Sequence, residues 1–159
     1  LPYIIHPLTM ACHALALGLA EDELIATALL HDTCEDCHIL PEELPVNASV
    51  QEAVRRLSFF PEPGVAHEIA RDRYFARIPG SRIAVLTKLL DRCNNLSYMV
   101  YGFSRDKLLD YIEETERAVM PLLEHAKESY PKDANALFLL NYQMHSTMNS
   151  VRALLERNL

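Results

Sequence analysis

Glu23-Leu-Ile-Ala-Thr-Ala-Leu-Leu-His31-Asp32 is the stretch on which the reading of the chain turns. Its middle is apolar on every side, which marks a helix buried within a packed protein rather than one with a wet face. Asp22 stands where a capping residue belongs. The run continues into Thr33-Cys34-Glu35-Asp36, so His31, Asp32, Glu35 and Asp36 crowd the end of an apolar helix. If the helix continues for one more turn, Glu35 shares a face with His31, and Asp36 with Asp32. Carboxylates buried together need a compensating cation or basic group. A helix C-terminus also disfavours acids through its dipole. A divalent metal would account for the cluster; a frayed, solvated helix end is the alternative.

Outward from this stretch the chain reads as helices throughout. Pro7 suits the first turn of a helix, and 8–19 is almost wholly apolar and small, ending at or soon after Gly18. Pro41, Pro45 and Asn47 mark 37–48 as loop. Ser49-Val-Gln-Glu52 has capping-box spacing and predicts a helix over 49–60. Pro61-Glu-Pro-Gly64 breaks the chain ahead of a polar, amphipathic helix over 65–78. Ser81 caps a long helix over 82–101, and Ser104 another over 105–130, kinked at Pro121. A last helix follows Pro131 and Asp133 and runs to about 157. Its apolar positions Leu137, Leu140, Met144, Met148, Val151 and Leu155 recur every three or four residues, as a face packed into its own domain does. The fold class is all-α, a single domain over 1–159.

Composition agrees and excludes other classes. Half of the 159 residues are hydrophobic and 23% are charged, as in a globular protein. No apolar run reaches the roughly 20 residues of a membrane span. With 4 glycines and no Asn-Gly or Asp-Gly turn, the sequence argues against a many-stranded β fold. The net charge of −7 repels phosphate backbones, so no nucleic-acid polymer is expected as partner; a small anionic substrate is, where a metal or basic cluster receives it. Cys12, Cys34, Cys37 and Cys93 are too scattered for a disulfide scaffold, and no signal-peptide pattern opens the chain. A reducing cytoplasm and no membrane follow as expectations, with a homo-oligomer compatible.

Two further features bear on the metal. His6 precedes the first buried helix, and Asp91 lies inside an apolar one, in Lys88-Leu-Leu-Asp91-Arg92-Cys-Asn-Asn95. Singly, each reads as a loop histidine and a partnered structural aspartate. Together, His6, His31, Asp32 and Asp91 form a set of two imidazoles and two carboxylates, which suits Mn2+, Fe2+ or Zn2+ with positions left for water and substrate. A rival reading joins Cys34 and Cys37 with His31 and His38 in a structural zinc site, but leaves His6 and Asp91 unexplained.

The pattern resembles the HD-domain metal-dependent phosphohydrolases, and more narrowly the hydrolase domain of RelA/SpoT-type alarmone enzymes and their small single-domain relatives. Tyr3-Ile-Ile-His6-Pro7 is similar to that family's PYI-x-HP. Ala28-Leu-Leu-His-Asp32-Thr-Cys-Glu-Asp36 is similar to its ALLHD-x-x-ED, and Lys88-Leu-Leu-Asp91-Arg92-Cys-Asn-Asn95-Leu to its KLADR-x-x-NL. The resemblance implies an HD-domain helical bundle in which His6, His31, Asp32 and Asp91 ligate one divalent metal, typically Mn2+. It implies that Glu35 and Asp36 position or deprotonate the attacking water or protonate the leaving group. Asn95 and Tyr3 would contact substrate, with Lys88 and Arg92 as phosphate contacts. The reaction implied is release of pyrophosphate from the 3′ position of guanosine 3′,5′-bis(diphosphate), with the metal lowering the pKa of water.

The chain departs from the family at several points. The Arg and Ser-Gly stretch that precede PYI would fall before Leu1. Leu57-Ser58-Phe59 stands where the family has LTK, Asn94 where it has His, and Ser97 where Arg is frequent. These positions concern the nucleotide rather than the metal. They leave room for another HD-type nucleotidase, or for an inactive nucleotide-sensing module.

Overall fold

In the computed structural model, residues 2–60 and 63–157 are described. They form α1 (Ile5–Ala16), α2 (Asp22–Leu30), α3 (Thr33–Cys37), α4 (Ala48–Leu57), α5 (His67–Arg77), α6 (Arg82–Tyr98), α7 (Arg105–Glu114), α8 (Met120–Ser129) and α9 (Ala134–Arg157), with no strand among the described residues. The fold is all-α, as expected. Two compact units divide the chain, Leu1–Lys88 and Leu89–Leu159, and α6 contributes to both.

In the first unit α1 packs on α2, and α2 and α5 each on α4. α1 starts three residues earlier than the sequence predicts, so His6 stands on its first turn instead of before it. Pro7 permits this: an amide within the first turn has no acceptor inside the helix, so its absence costs no bond. Gly18 ends α1 in a left-handed conformation at φ 79. The Leu19 amide donates to Ala14 O at 2.9 Å and the Gly18 amide to Leu15 O at 3.0 Å, a paired closure that only a residue tolerating positive φ allows cheaply.

The expected helix over 23–32 breaks at its end. α2 stops at Leu30, His31 and Asp32 form a turn, and α3 restarts at Thr33. This resolves the puzzle of acids at a helix C-terminus, because Glu35 and Asp36 fall in the first turn of a new helix. Asn47, not Ser49, caps α4: its Oδ1 accepts from the Val50 amide at 3.0 Å. Cys34, Leu44, Val50 and Val54 are buried together, with Ala26, Leu30, Ile39 and Val46 packed against them. That apolar cluster holds α3 to α4.

In the second unit α9 packs against α7 and α8. Leu137, Leu140, Met144, Met148 and Val151 of its predicted stripe are buried. Pro121 is accommodated by a change of register ahead of it. Residues Thr115–Val119 are π-helical, and the Met120 amide reaches back five residues to the Thr115 carbonyl. A π turn shifts the carbonyl that a proline ring would otherwise meet.

Candidate metal and acid–base site

His31 is only 3% exposed. Its Nδ1 lies 2.9 Å from the Ala28 carbonyl. A carbonyl can only accept, so Nδ1 carries a hydrogen, and Nε2 is the ring atom left to face a cation as a lone pair or Asp32 as a donor. That Nε2 is 3.0 Å from Asp32 Oδ2. Two lone-pair donors at that separation repel unless a proton or a shared cation lies between them. The His6 ring stands edge-on to His31, centroids 5.3 Å apart at 67°. Ligand atoms of His6, His31 and Asp32 all lie within 4.8 Å of one another. Donors bonded at about 2.1 Å to one ion sit roughly 3 Å apart when adjacent and about 4.2 Å when opposite, so sub-ångström closure suffices. The imidazole and carboxylate donors therefore fit a first-row divalent ion.

The break at His31–Asp32 makes this convergence. In an unbroken helix the two side chains would point about 100° apart. Tyr3, in the turn before α1, donates its hydroxyl to Asp32 Oδ2 at 2.8 Å. Burial, then the Asp32 charge, and then Asp36, push the phenol far above its usual range, so it remains a donor.

Glu35 is half-buried on α3. The Phe59 amide donates to its Oε1 at 2.6 Å. Burial raises its pKa above the usual carboxylate range; the Phe59 hydrogen bond and the Lys88 charge oppose this, while Asp32 and Asp36 add to it. A carboxyl whose pKa is raised in this way holds a proton more readily than an exposed one, which suits it to proton transfer. Lys88 itself stands over the Tyr74 ring, Nζ 5.4 Å from its centroid. The first unit thus brings together Tyr3, His6, His31, Asp32, Glu35, Asp36 and Lys88.

Asp91, Arg92 and Asn95 lie on α6 in the second unit. Asp91 is buried, and its Oδ1 accepts from Asn95 Nδ2 at 2.6 Å, one turn on. Arg92 is placed otherwise than a phosphate contact would be. It is 2% exposed, its Nη2 donates to Glu114 Oε1 at 2.5 Å, its Nη1 to Thr115 Oγ1 at 3.0 Å, and it stacks on Tyr111 at 4.1 Å. This guanidinium joins α6 to α7.

No such donor group among the described residues includes a cysteine, which removes the rival zinc reading. Cys34 is core, and His38 closes α3 at φ 54. Sequence reasoning missed the Phe59 amide, which carries no side-chain signature. It also passed over Arg71 and Tyr74, although their spacing of three on an amphipathic helix puts them side by side.

An all-α chain with a histidine–aspartate donor set beside a held carboxylate is a hydrolase-like arrangement, and this chain resembles the hydrolase domain of the RelA/SpoT-type enzymes. No protein-family model matches it. It is 32% identical over 126 residues, 76% of its length, to guanosine-3′,5′-bis(diphosphate) 3′-pyrophosphohydrolase of Aquifex aeolicus. It is 35% identical over 103 residues, 60% of its length, to the protein of that name in Vibrio cholerae. A probable enzyme of that name in Synechocystis sp. is 30% identical over 128 residues, 76% of the chain. The matches span 18%, 14% and 17% of the lengths of these relatives.

Proposed function

We propose that the chain is an HD-type metal-dependent phosphohydrolase acting on guanosine 3′,5′-bis(diphosphate) in the cytoplasm, with release of pyrophosphate from the 3′ position. The observation that carries this reading is the convergence of His6, His31 and Asp32 beside Glu35. Asp91 completes the ligand set, and Mn2+ is the ion proposed. A divalent ion bound there would supply Lewis acidity toward phosphoryl oxygens and a lowered pKa for water.

The chain's own residues do the rest. Glu35, with one oxygen held by the Phe59 amide and its pKa raised by burial, takes the proton of the attacking water. The new bond forms from water oxygen to the phosphorus nearest the ribose, and the bond to the 3′ oxygen breaks. The 3′ oxygen needs a proton on leaving, and Glu35 or Asp36 returns it. Tyr3, Lys88 and Asn95 hold substrate.

A second reading, another HD-type nucleotidase, draws on the departures from the family. Ser58, Asn94 and Ser97 each donate to a carbonyl four residues back in their own helix, Val54, Leu90 and Cys93 respectively. Each of the three thereby spends one donor hydrogen on its own backbone. The deciding experiment incubates the protein with Mn2+ and guanosine 3′,5′-bis(diphosphate) and follows pyrophosphate, with Asp32→Ala as the blank. Mn2+-dependent release is expected. Turnover of nucleoside monophosphates instead would favour the second reading.

A further inference from the structure

The peptide unit that joins Ser58 to Phe59 is gripped at both ends. Its amide donates to Glu35 Oε1 at 2.6 Å, and its carbonyl accepts from Nη2 of Arg77. The atoms of a peptide unit are coplanar, and in the trans form the carbonyl and the N–H point in opposite directions. A guanidinium that pins the carbonyl therefore aims the amide as well. Arg77 and Glu35 stand on opposite sides of one rigid plane.

Ser58 is fully buried, so its carbonyl depends on a donor from the protein, and leaving it without one would be costly. Its own N–H and hydroxyl are both spent on Val54 O. Arg77 meets the carbonyl with a charged donor. A cation there also draws density toward the oxygen through the peptide resonance, which strengthens the N–H as a donor to a carboxylate.

Arg77 is held in turn. Its Nε donates to Arg56 O at 3.2 Å, and Arg56 Nη1 donates back to Arg77 O. Gly80 leaves room for this exchange, since a Cβ there would stand 2.1 Å from Arg56 Nη1. The Arg77 guanidinium also lies 5.4 Å from the Tyr74 centroid, and the Phe59 ring meets that same ring edge-on at 5.6 Å. Residues of α5 thus fix the carbonyl before the Phe59 amide and the ring after it.

We infer that Arg77 is a positioning residue for hydrolysis: through the Ser58–Phe59 peptide it sets where Oε1 of Glu35 stands, without touching substrate. This rests on reading Glu35 as the acid–base group. The planar fork of the guanidinium matters, because one side chain reaches the carbonyls of both Arg56 and Ser58.

The test has a structural arm and a turnover arm. Amide hydrogen exchange is followed by NMR in the metal-free chain. Arg77→Met is expected to expose the Phe59 amide to exchange and to leave the Ser58 amide, bonded to Val54 O at 2.9 Å, protected. Protection unchanged at Phe59, or lost equally at both amides, overturns the inference.

In the Mn2+-loaded protein Arg77→Met should lower kcat for guanosine 3′,5′-bis(diphosphate) by about tenfold to a hundredfold, the cost of a displaced catalytic group, with KM nearly constant. In a Glu35→Gln background the same change should cost almost nothing further, because the group it positions is gone. Arg77→Lys keeps the charge and one donor and should recover part of kcat. If Arg77→Met does not fold, Arg77→Lys carries both comparisons at smaller amplitude. Arg56→Gln loosens the same junction without touching the Ser58 carbonyl and should leave kcat near that of the wild type. An equal loss in Arg56→Gln, or an undiminished loss in the Glu35→Gln background, overturns the inference while leaving the hydrolase reading intact. Selective exposure of the Phe59 amide in a chain that does not hydrolyse the nucleotide supports the hold on Glu35 and removes the hydrolase reading.

Discussion

The backbone amide of Phe59 donates to Oε1 of Glu35 at 2.6 Å, across 24 residues of chain. One carboxylate oxygen is thereby fixed by a backbone donor, which among substitutions at Phe59 only proline would remove. The end of α4 thus sets where a group on α3 can reach, and burial sets when that group is charged.

Glu35→Gln keeps the acceptor for Phe59 and removes the titration. Turnover is expected to fall roughly 10²–10⁴-fold, with bound Mn2+ unchanged. Stability gives an independent reading. Burial raises the folded-state pKa of Glu35 above its unfolded value, so its contribution is full at low pH and is lost as pH rises through the folded pKa. In metal-free protein the variant should therefore melt above wild type at neutral pH, with the gap closing toward about pH 4. Melting curves in chelator across that range check it; a gap that is flat with pH would contradict the burial argument.

Metal binding should stabilise the folded chain by mass action. Mn2+ at a hundredfold excess over its dissociation constant adds about 2.7 kcal/mol. That corresponds to a melting shift of several degrees at roughly 2–4 °C per kcal/mol. Asp32→Ala and His31→Ala should each abolish most of the shift. A full shift in both variants would move the metal elsewhere.

Arg92 separates packing from substrate contact. Its side chain is 3% exposed and that of Glu114 23% exposed. Arg92→Met removes the guanidinium from Glu114, Thr115 and Tyr111, which should cost about 3 kcal/mol, the lower end of the range for a broken buried pair. Arg92→Lys should recover only part, since one ammonium cannot reach both Glu114 and Thr115 in the fork geometry. Urea unfolding reports the loss. A large rise in KM with unchanged stability would instead make Arg92 a substrate contact.

The four thiols should divide by burial. Cys12 and Cys37 are exposed, Cys34 and Cys93 buried. Burial pushes the Cys93 thiol up to about 11, and burial likewise raises Cys34. Thiolate is the reacting form, so a maleimide at neutral pH should label two cysteines quickly and two only on unfolding. Mass spectrometry of digested protein identifies which.

Much of this molecule was legible along the chain. The helical class, the stop at Gly18 and the caps at Ser81 and Ser104 rest on backbone preferences that a few consecutive residues decide. His31, Asp32, Glu35 and Asp36 stood out because ionisable groups at the end of an apolar helix need a reason, whereas His6 read singly as a loop histidine and joined them only as part of a set. What only the tertiary structure decided involves partners distant in sequence. The turn at His31–Asp32 aims two side chains at one point because α3 is packed through Cys34 against α4. Arg92 is withdrawn from solvent because Glu114 and Thr115 of the following helical segments meet it. Glu35 is held by the Phe59 amide, and every residue has such a donor. Local conformation follows from neighbours in the chain. Which side chains meet, and at what pKa, follows from burial and contacts that exist only once the helices have packed.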